Sequence, residues 1–512
     1  RVAASAVPPV LAIDVDDRTP IEDLLVRLDW ACTSTLTYAI SCLQHRITDS
    51  VLDDHHAVPS VASDADSLDG LLRGRVVRPG DEDWDQARSA WNLAVDQRPL
   101  MVAEVSDAFD VQSVVRYAAE YGLRVAPQST GHNARPLGDL SDAILLRTGR
   151  MHEVTVDADQ QSVRVGAGAI WEDVTAALAP HGLAALAGSS PDVGVAGYAL
   201  GGGYSWLGRS RGLAASSITA VELVTGDGLF HRVDAEHEPE LFWAVRGGGA
   251  NVGVVCAMEL EVFPIPEVYG GGLLFPITRA AEVLPAYVEW TRGLPEVATT
   301  CVRLLRLPPW PELPEPLRGN AFVMIDGAID ADASEAEQLL APLRALGPAI
   351  DTWGTMPTAG LAMIHLDPPT PVPANGDGLS LTDLTPEVIE VLLAHAGPDV
   401  ESTLLAVDVR HLGGALGRPD PRGGAVDQLD GGFALFAVGI TPTPEAHIAV
   451  AADVEALIGA LEPHAAAHDY VNFCERSVPI ERIYPARELE RMRRVRWGMD
   501  PRGVLAAAHP IG

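Results

Sequence analysis

Apolar and polar positions first become regular near residue 100. Leu100 to Val105 is a short β-like run, Ala108 to Tyr121 reads as a helix, and Ser106 or Asp107 can cap it. Leu123 to Ala126 is the next strand, so a β-α-β unit delivers the loop of small and polar residues that follows. Ala143 to Leu146, Glu153 to Val156 and Ser162 to Gly166 read as further strands, and Trp171 to Pro180 as a helix stopped by His181-Gly182. A strand over Ile218 to Thr225 closes on the turn Gly226-Asp227-Gly228.

After Phe263-Pro264-Ile265-Pro266 the texture changes. β-like runs (Leu273 to Phe275, Ala321 to Ile325, Leu404 to Val409, Phe433 to Val438) alternate with helices (Ala280 to Trp290, Ala333 to Ala345, Pro386 to His395). This pattern predicts an α+β lobe with an antiparallel sheet backed by helices. The tail from Tyr470 ends in an Arg-rich helix, Ala486 to Trp497, and then Asp500-Pro501.

Composition narrows the functions. At 512 residues and 47% hydrophobic content the chain can bury cores for two or more lobes. Mean hydropathy is +0.12, yet no run reaches the roughly eighteen apolar residues of a membrane helix. A net charge of −34 disfavours nucleic acid and anionic membranes as partners. There is no lysine, which excludes Schiff-base chemistry and a Walker-type phosphate loop. Five cysteines are too few and scattered for a disulfide framework; Cys32 and Cys42 could pair but are read as free thiols. Residues 22 to 48 read as a surface helix within an acidic extension over 1–75, and with no secretory leader visible the expected location is cytoplasmic. Nothing has metal-ligand spacing.

Three glycine-dense passages carry the candidate chemistry: Arg124 to Gly138, Ala187 to Leu213 and Phe242 to Glu261. Together they suggest backbone wrapped round a large flat or phosphorylated ligand. A nicotinamide-type fingerprint fails, because Gly201 and Gly203 are followed by Trp206 where a third glycine is required. In the second lobe, His365 and His411 read as satisfied core or surface residues, and Asp326 as a weaker candidate carboxylate.

Ser129-Thr-Gly-His-Asn133, Gly194-Val-Ala-Gly-Tyr-Ala-Leu-Gly-Gly-Gly203, Arg246-Gly-Gly-Gly-Ala-Asn-Val-Gly-Val-Val255, Tyr470-Val-Asn-Phe473 and Asp500-Pro501, in this order, resemble a berberine bridge enzyme-like FAD-linked oxidase of the vanillyl alcohol oxidase and para-cresol methylhydroxylase superfamily. The resemblance implies a two-lobed α+β fold. Residues 76–265 would bind FAD, 266–455 would form the substrate domain, and 456–512 would return to the FAD domain. It makes His132 the covalent flavin anchor, with Pro127, Gln128, Ser129, Thr130, Gly131, Asn133 and Leu137 around it. The second passage would contribute Ser190, Pro191, Val193, Gly194, Gly197, Gly201 and Gly202, and the third Asn251, Gly253 and Val254. Some relatives form a second flavin bond through a cysteine; Ser190 stands there, so the link is expected to be single. Val193 aligns with the oxygen-gating position, which points to an oxidase using molecular oxygen. Tyr470 is the first candidate for the base, with Tyr198 and Tyr204 behind it, and Asn472 closing over the ring system. A small organic substrate is implied, and the lysine-free, Ala-, Arg- and Gly-rich composition suggests bacterial natural-product tailoring. The competing expectations are an oxygen-insensitive dehydrogenase and an idle FAD-binding module.

Overall fold

A computed structural model describes residues 66–512 apart from Glu312, Pro314 and Pro369. The helix expected over 22–48, Cys32, Cys42 and most of the acidic extension lie outside the described residues. Among the described residues no helix is long and apolar enough to cross a membrane.

The first lobe holds two sheets. Arg75–Val77 (β1), Met101–Glu104 (β2), Arg124–Gln128 (β3) and Ala143–Arg147 (β4) form a sheet of order β1-β2-β4-β3, parallel across β2, β4 and β3. The helix Ala108–Tyr121 (α1) supplies the crossover from β2 to β3. Its N-terminus is capped by Asp107, whose carboxylate accepts from the N–H groups of Phe109 and Asp110. Gly122, at φ 66°, ends it in the left-handed conformation that glycine adopts freely. Val154–Asp157 (β5), Ser162–Gly166 (β6), Ile218–Val224 (β7), Phe230–Asp234 (β8) and Val254–Glu261 (β9) make an antiparallel sheet of order β5-β6-β9-β7-β8. One apolar core runs through both sheets.

The second lobe is one antiparallel sheet of Glu267–Pro276 (β10), Ala298–Arg306 (β11), Ala321–Ile329 (β12), Ile350–Asp351 (β13), Gly354–Pro357 (β14), Ala374–Leu381 (β15), Ala406–His411 (β16) and Phe433–Ile440 (β17). The order is β13-β10-β12-β11-β16-β17-β15, with β14 on β10. Strand side chains alternate between faces. Val302, Leu304, Val323, Ile325, Val407 and Val409 point to a core shared with the helices Ala280–Thr291 (α2), Ala333–Arg344 (α3), Pro386–Ala396 (α4) and Pro444–Leu461 (α5). The opposite face therefore presents Cys301, Arg303, Asp326, Asp408 and Arg410. That inner face meets the first lobe and the tail.

The tail returns to the first lobe after α5. The Asp500 carboxylate accepts from the N–H groups of Val504 (2.8 Å) and Leu505 (2.9 Å). So held, the tail pairs with Val125 on β3 through Val125 N–H to Val504 O (2.7 Å) and Ala506 N–H to Val125 O (2.9 Å). Asp500-Pro501 is thus a structural clasp.

Candidate functional site

The first two glycine passages come together beside His132. Gly131 takes φ 89°, and a Cβ there would lie 2.8 Å from Gln128 Nε2 and 3.0 Å from the Ala90 backbone, so the chain can enter His132 this way only with glycine. The Gln128 amide is paired reciprocally with Gln97 at 3.0 Å. Pro127 lies on β3 opposite Leu146, and Leu137 packs on a small core cluster in the turn beyond. Gly194 abuts Ser129, and a Cβ there would stand 2.7 Å from Ser129 Oγ. Val193 packs on the first lobe's core and, with Pro191, offers its carbonyl to the start of the helix at Trp171.

His132 is held on three sides. Its ring stacks on Trp91, with centroids 4.2 Å apart and planes at 19°. Nδ1 is 2.8 Å from Thr130 Oγ1. Nε2 is 3.4 Å from Asp192 Oδ1, an ion-pair distance rather than a short hydrogen bond, and has no other partner. Asp192 also accepts from Ser190 Oγ (2.9 Å) and from the Trp91 indole. Burial alone would raise the Asp192 acid, but His132, Ser190 and Trp91 offset it and hold the carboxyl below its usual range. Asp192 and Trp91 escaped the sequence reading, although Asp192 lies inside the Ser190-Pro-Asp-Val193 segment it singled out.

Several buried polar atoms around this junction have no hydrogen-bond partner: Ser129 Oγ, His132 Nε2, Asn133 Oδ1 and Tyr198 OH. Native interiors seldom leave such atoms unpaired, so their clustering marks where a polar ligand belongs. Nearby Glu475 has its own unpaired Oε2; burial pushes its carboxyl up to about 8, with Arg135 opposing and Asp377 adding to the rise.

The tail places the tyrosines. The Tyr470 hydroxyl oxygen accepts from Tyr204 N–H and from Asn472 Nδ2, both at 2.9 Å, and Asn472 Nδ2 also reaches Tyr198 O at 3.0 Å. Gly201 makes this closure possible, since a Cβ there would stand 1.8 Å from Asn472 Oδ1. Gly202 takes φ 111° at the same bend. Burial pushes the Tyr470 phenol up to about 12 and raises Tyr198 and Tyr204 further from their ordinary range. None of the three is a ready base near neutral pH.

The third glycine passage is tied to the tail. The Asn251 amide donates to Gly248 O (3.0 Å) and His509 O (3.1 Å), and its Oδ1 accepts from Ile511 N–H (3.1 Å). A Cβ on Gly253 would meet the Leu223 side chain at 2.5 Å, and Val254 is fully buried in β9 opposite Val224. The side chains of Asn251 and Val254 thus serve the sheet and its junction with the tail, which leaves the backbone of the passage as the part that could meet a cofactor.

The inner face of the second sheet carries a buried charge cluster. His365 Nδ1 is 2.7 Å from Asp326 Oδ2, and its Nε2 is 3.1 Å from Asp408 Oδ2. Arg303 Nε donates to Asp408 Oδ1 at 2.6 Å, and its Nη1 donates to the His365 carbonyl. Burial and Arg303 act to lower the His365 imidazolium, but Asp326, Asp367 and Asp408 outweigh them and raise it. Burial opposes ionisation of Asp408, yet Arg303 and His365 hold its carboxyl far below the usual range. Arg410 Nη2 lies 3.2 Å from Ser189 Oγ and 3.1 Å from His365 Nε2, and its guanidinium sits 5.3, 5.9 and 5.0 Å from the rings of Tyr204, Trp206 and Phe473. His365 and Asp326 are therefore neither surface nor turn residues. The signal for Asp408 and Arg410 was their alternation with Val407 and Val409 in an apolar run, since buried charges come in sets.

A separate cavity of about 520 Å³ opens among β10, β12 and residues 354–366, lined by apolar groups such as Leu274, Met324 and Met356 and by no ionisable side chain. Proton transfer has no agent there, and the candidate site is instead the junction of the His132 loop, the second glycine passage, the tail and the inner face of the second sheet.

Comparison with known proteins matches this architecture. Residues 99–234 match the family model described as an FAD binding domain. The (R)-6-hydroxynicotine oxidase of Paenarthrobacter nicotinovorans is 33% identical over 234 residues, 46% of this chain and 48% of the relative. The xylooligosaccharide oxidase of Thermothelomyces thermophilus is 29% identical over 274 residues, 52% of each chain. The chain thus spans about half the length of these two relatives. Among solved structures, wild-type BBE-like 1 of Physcomitrella patens superposes with a TM-score of 0.77 at 17% identity, covering 87% of this chain and 98% of that one. The 6-hydroxy-D-nicotine oxidase of Arthrobacter nicotinovorans gives 0.74 at 23%, covering 85% and 96%. The chain is a two-lobed α+β protein with the fold of those two solved structures. Its first lobe contains the stretch that matches an FAD binding domain. The unpaired Ser129, His132 and Asn133 atoms fit that cofactor.

Proposed function

We propose that this chain is an FAD-dependent oxidoreductase, an oxidase that takes a hydride from a small organic substrate and passes electrons to molecular oxygen, giving hydrogen peroxide. The bound flavin would supply the redox chemistry. The observation that carries the reading is the unpaired His132 Nε2, framed by Trp91, Thr130 and Asp192 and surrounded by other unpaired polar atoms.

His132 would be the single covalent tether. Thr130 and Trp91 fix its ring, and the Asp192 carboxylate stands where it can accept a proton from Nε2. Ser190, engaged with Asp192, has a hydroxyl far less nucleophilic than a thiolate and would add no second bond. Of the three tyrosines, Tyr470 alone receives two N–H donors on its hydroxyl oxygen, so it is the one equipped to be stabilised as a phenolate. Its pKa, pushed up to about 12 by burial, places proton uptake by Tyr470 at alkaline pH. The two curated relatives act on a nicotine derivative and an oligosaccharide by their names. Natural-product tailoring suits the composition of this chain.

The test uses two samples: one is denatured with acid, and the other, native, is mixed anaerobically with candidate substrates. Yellow colour should stay with the precipitated protein in the first; in the second it should bleach on reaction with a substrate and return in air with peroxide release. Colour lost to the supernatant would reject the tether, and failure to recolour in air would reject the oxidase.

A further inference from the structure

The inner-face cluster pairs its charges unevenly. Both ring nitrogens of His365 face carboxylates, at 2.7 and 3.1 Å, so each is placed to carry a proton and bond there. His365, Arg303 and Arg410 then set three positive charges against Asp326, Asp408 and the more distant, half-buried Asp367. Asp326 and Asp408 are engaged by Arg303 and His365. Arg410 has no carboxylate in ion-pair contact, and Asp367 reaches it only through the Ser189 hydroxyl.

Arg410 is also under-bonded. It is 7% exposed, yet its hydrogen bonds run only through Nη2, and Nε is buried with no partner. One of those contacts weakens further, since a protonated His365 Nε2 cannot accept from a guanidinium. A buried cation held away from its counter-ions is costly to the fold. This one is held in place by three aromatic rings, two from the second glycine passage (Tyr204, Trp206) and one from the tail (Phe473). The fold keeps a charge there with no carboxylate in direct contact.

We infer that Arg410 is the receptor for an anionic group on the substrate, so that the preferred substrates are carboxylates or similarly charged planar oxyanions rather than neutral alcohols or sugars. The inference rests on the FAD reading for the location of the reaction, but not for the binding itself. Arg410 would act as a specificity-determining residue. It lies on the face of the sheet that meets Tyr204, Trp206 and Phe473, with Ser189 and His365 as its polar neighbours. The rings around it exclude water, which strengthens a charge-assisted hydrogen bond.

The experiment is a titration of purified holoprotein with acetate and benzoate, each compared with its amide (acetamide, benzamide). It is followed both by the flavin absorbance difference spectrum and by calorimetry. At least one carboxylate should saturate, and bind about 10- to 100-fold more tightly than its amide. Arg410→Gln should remove that preference while leaving amide binding unchanged; Arg410→Lys, which keeps the charge, should retain part of it. No saturable response to either carboxylate, equal binding of acid and amide, or undiminished carboxylate binding by Arg410→Gln would each overturn the proposal. The last of these would assign Arg410 to the cofactor. If the variants do not fold, the wild-type comparison of acid with amide still decides. Protein without yellow colour would count against the FAD reading alone, because calorimetry still reports whether the carboxylate binds.

Discussion

The two walls of the candidate site bury polar groups in opposite ways. On the first-lobe wall, Ser129 Oγ, His132 Nε2, Asn133 Oδ1 and Tyr198 OH are sealed from water with no partner. Their geometry comes from backbone: the left-handed Gly131, the close approach of Gly194 to Ser129 and the open bend at Gly201 and Gly202. On the sheet wall, charges meet one another directly through Arg303, Asp326, His365 and Asp408, and Arg410 lies beside them without an ion pair of its own. The first wall leaves neutral polar groups and an imidazole unpaired; the second is pre-assembled from paired charges. A wall of the first kind should lose function on substitution while keeping its fold. A wall of the second kind should lose the fold first.

The largest expected effect tests the first half of that contrast. His132→Ala should abolish covalent retention of flavin after acid precipitation, an all-or-none change. Its unfolding free energy in denaturant should stay within about 1–2 kcal/mol of wild type, since the Trp91 stack, the contact to Thr130 and the longer one to Asp192 are lost at a partly exposed site. Retained colour in the variant would move the anchor elsewhere.

Asp408→Asn tests the other wall. Removing that charge leaves Arg303 and His365 without their shared partner, and breaking a buried pair this way costs about 3–5 kcal/mol. Urea or guanidinium melts would read the loss directly, and wild-type stability in Asp408→Asn would show that the cluster is solvated. The pH dependence carries the same information. His365 is raised in the folded state, so its contribution is complete below about pH 6.5 and disappears as pH rises through its higher native value. Asp408 is depressed, so its contribution is present above about pH 3.9 and is lost only as pH falls through its lower native value. The melting temperature should therefore fall as pH rises above neutrality, and His365→Gln should flatten that slope.

The walls also differ in how visible they were beforehand. The His132 loop is seven consecutive residues whose meaning is local, so glycine and histidine in sequence sufficed to find it. The β-α-β unit and the antiparallel second sheet were legible from strand alternation and from helix caps such as Asp107. The charge cluster joins residues from four separate segments, with Arg303 and Asp408 standing 105 positions apart. Only the register of β11 against β16 brings those two opposite each other, and no local pattern states a register. Asn251 shows the same limit. It sits in a glycine passage, but its side-chain partners are Gly248 nearby and the distant His509 and Ile511, which no local pattern states.

A pair of glycines sharpens the comparison within one short helix, Val195–Leu200, and its end. Gly201 has ordinary backbone angles (φ −91°, ψ 9°), so alanine there is not strained locally. Its Cβ would nonetheless stand 1.8 Å from Asn472 Oδ1 and push the Tyr470 closure away, which should cost about 1–3 kcal/mol and much of the turnover. Gly197 lies one helical turn earlier, is exposed, and has no atom within 4 Å of the place its Cβ would occupy. Gly197→Ala should leave unliganded stability unchanged or improve it by up to about 1 kcal/mol through helix propensity. If that open space is where the cofactor passes, the same variant should purify with less flavin than wild type. Full flavin content in Gly197→Ala would show that the cofactor runs past another part of the helix, and that Gly197 is a glycine of no consequence.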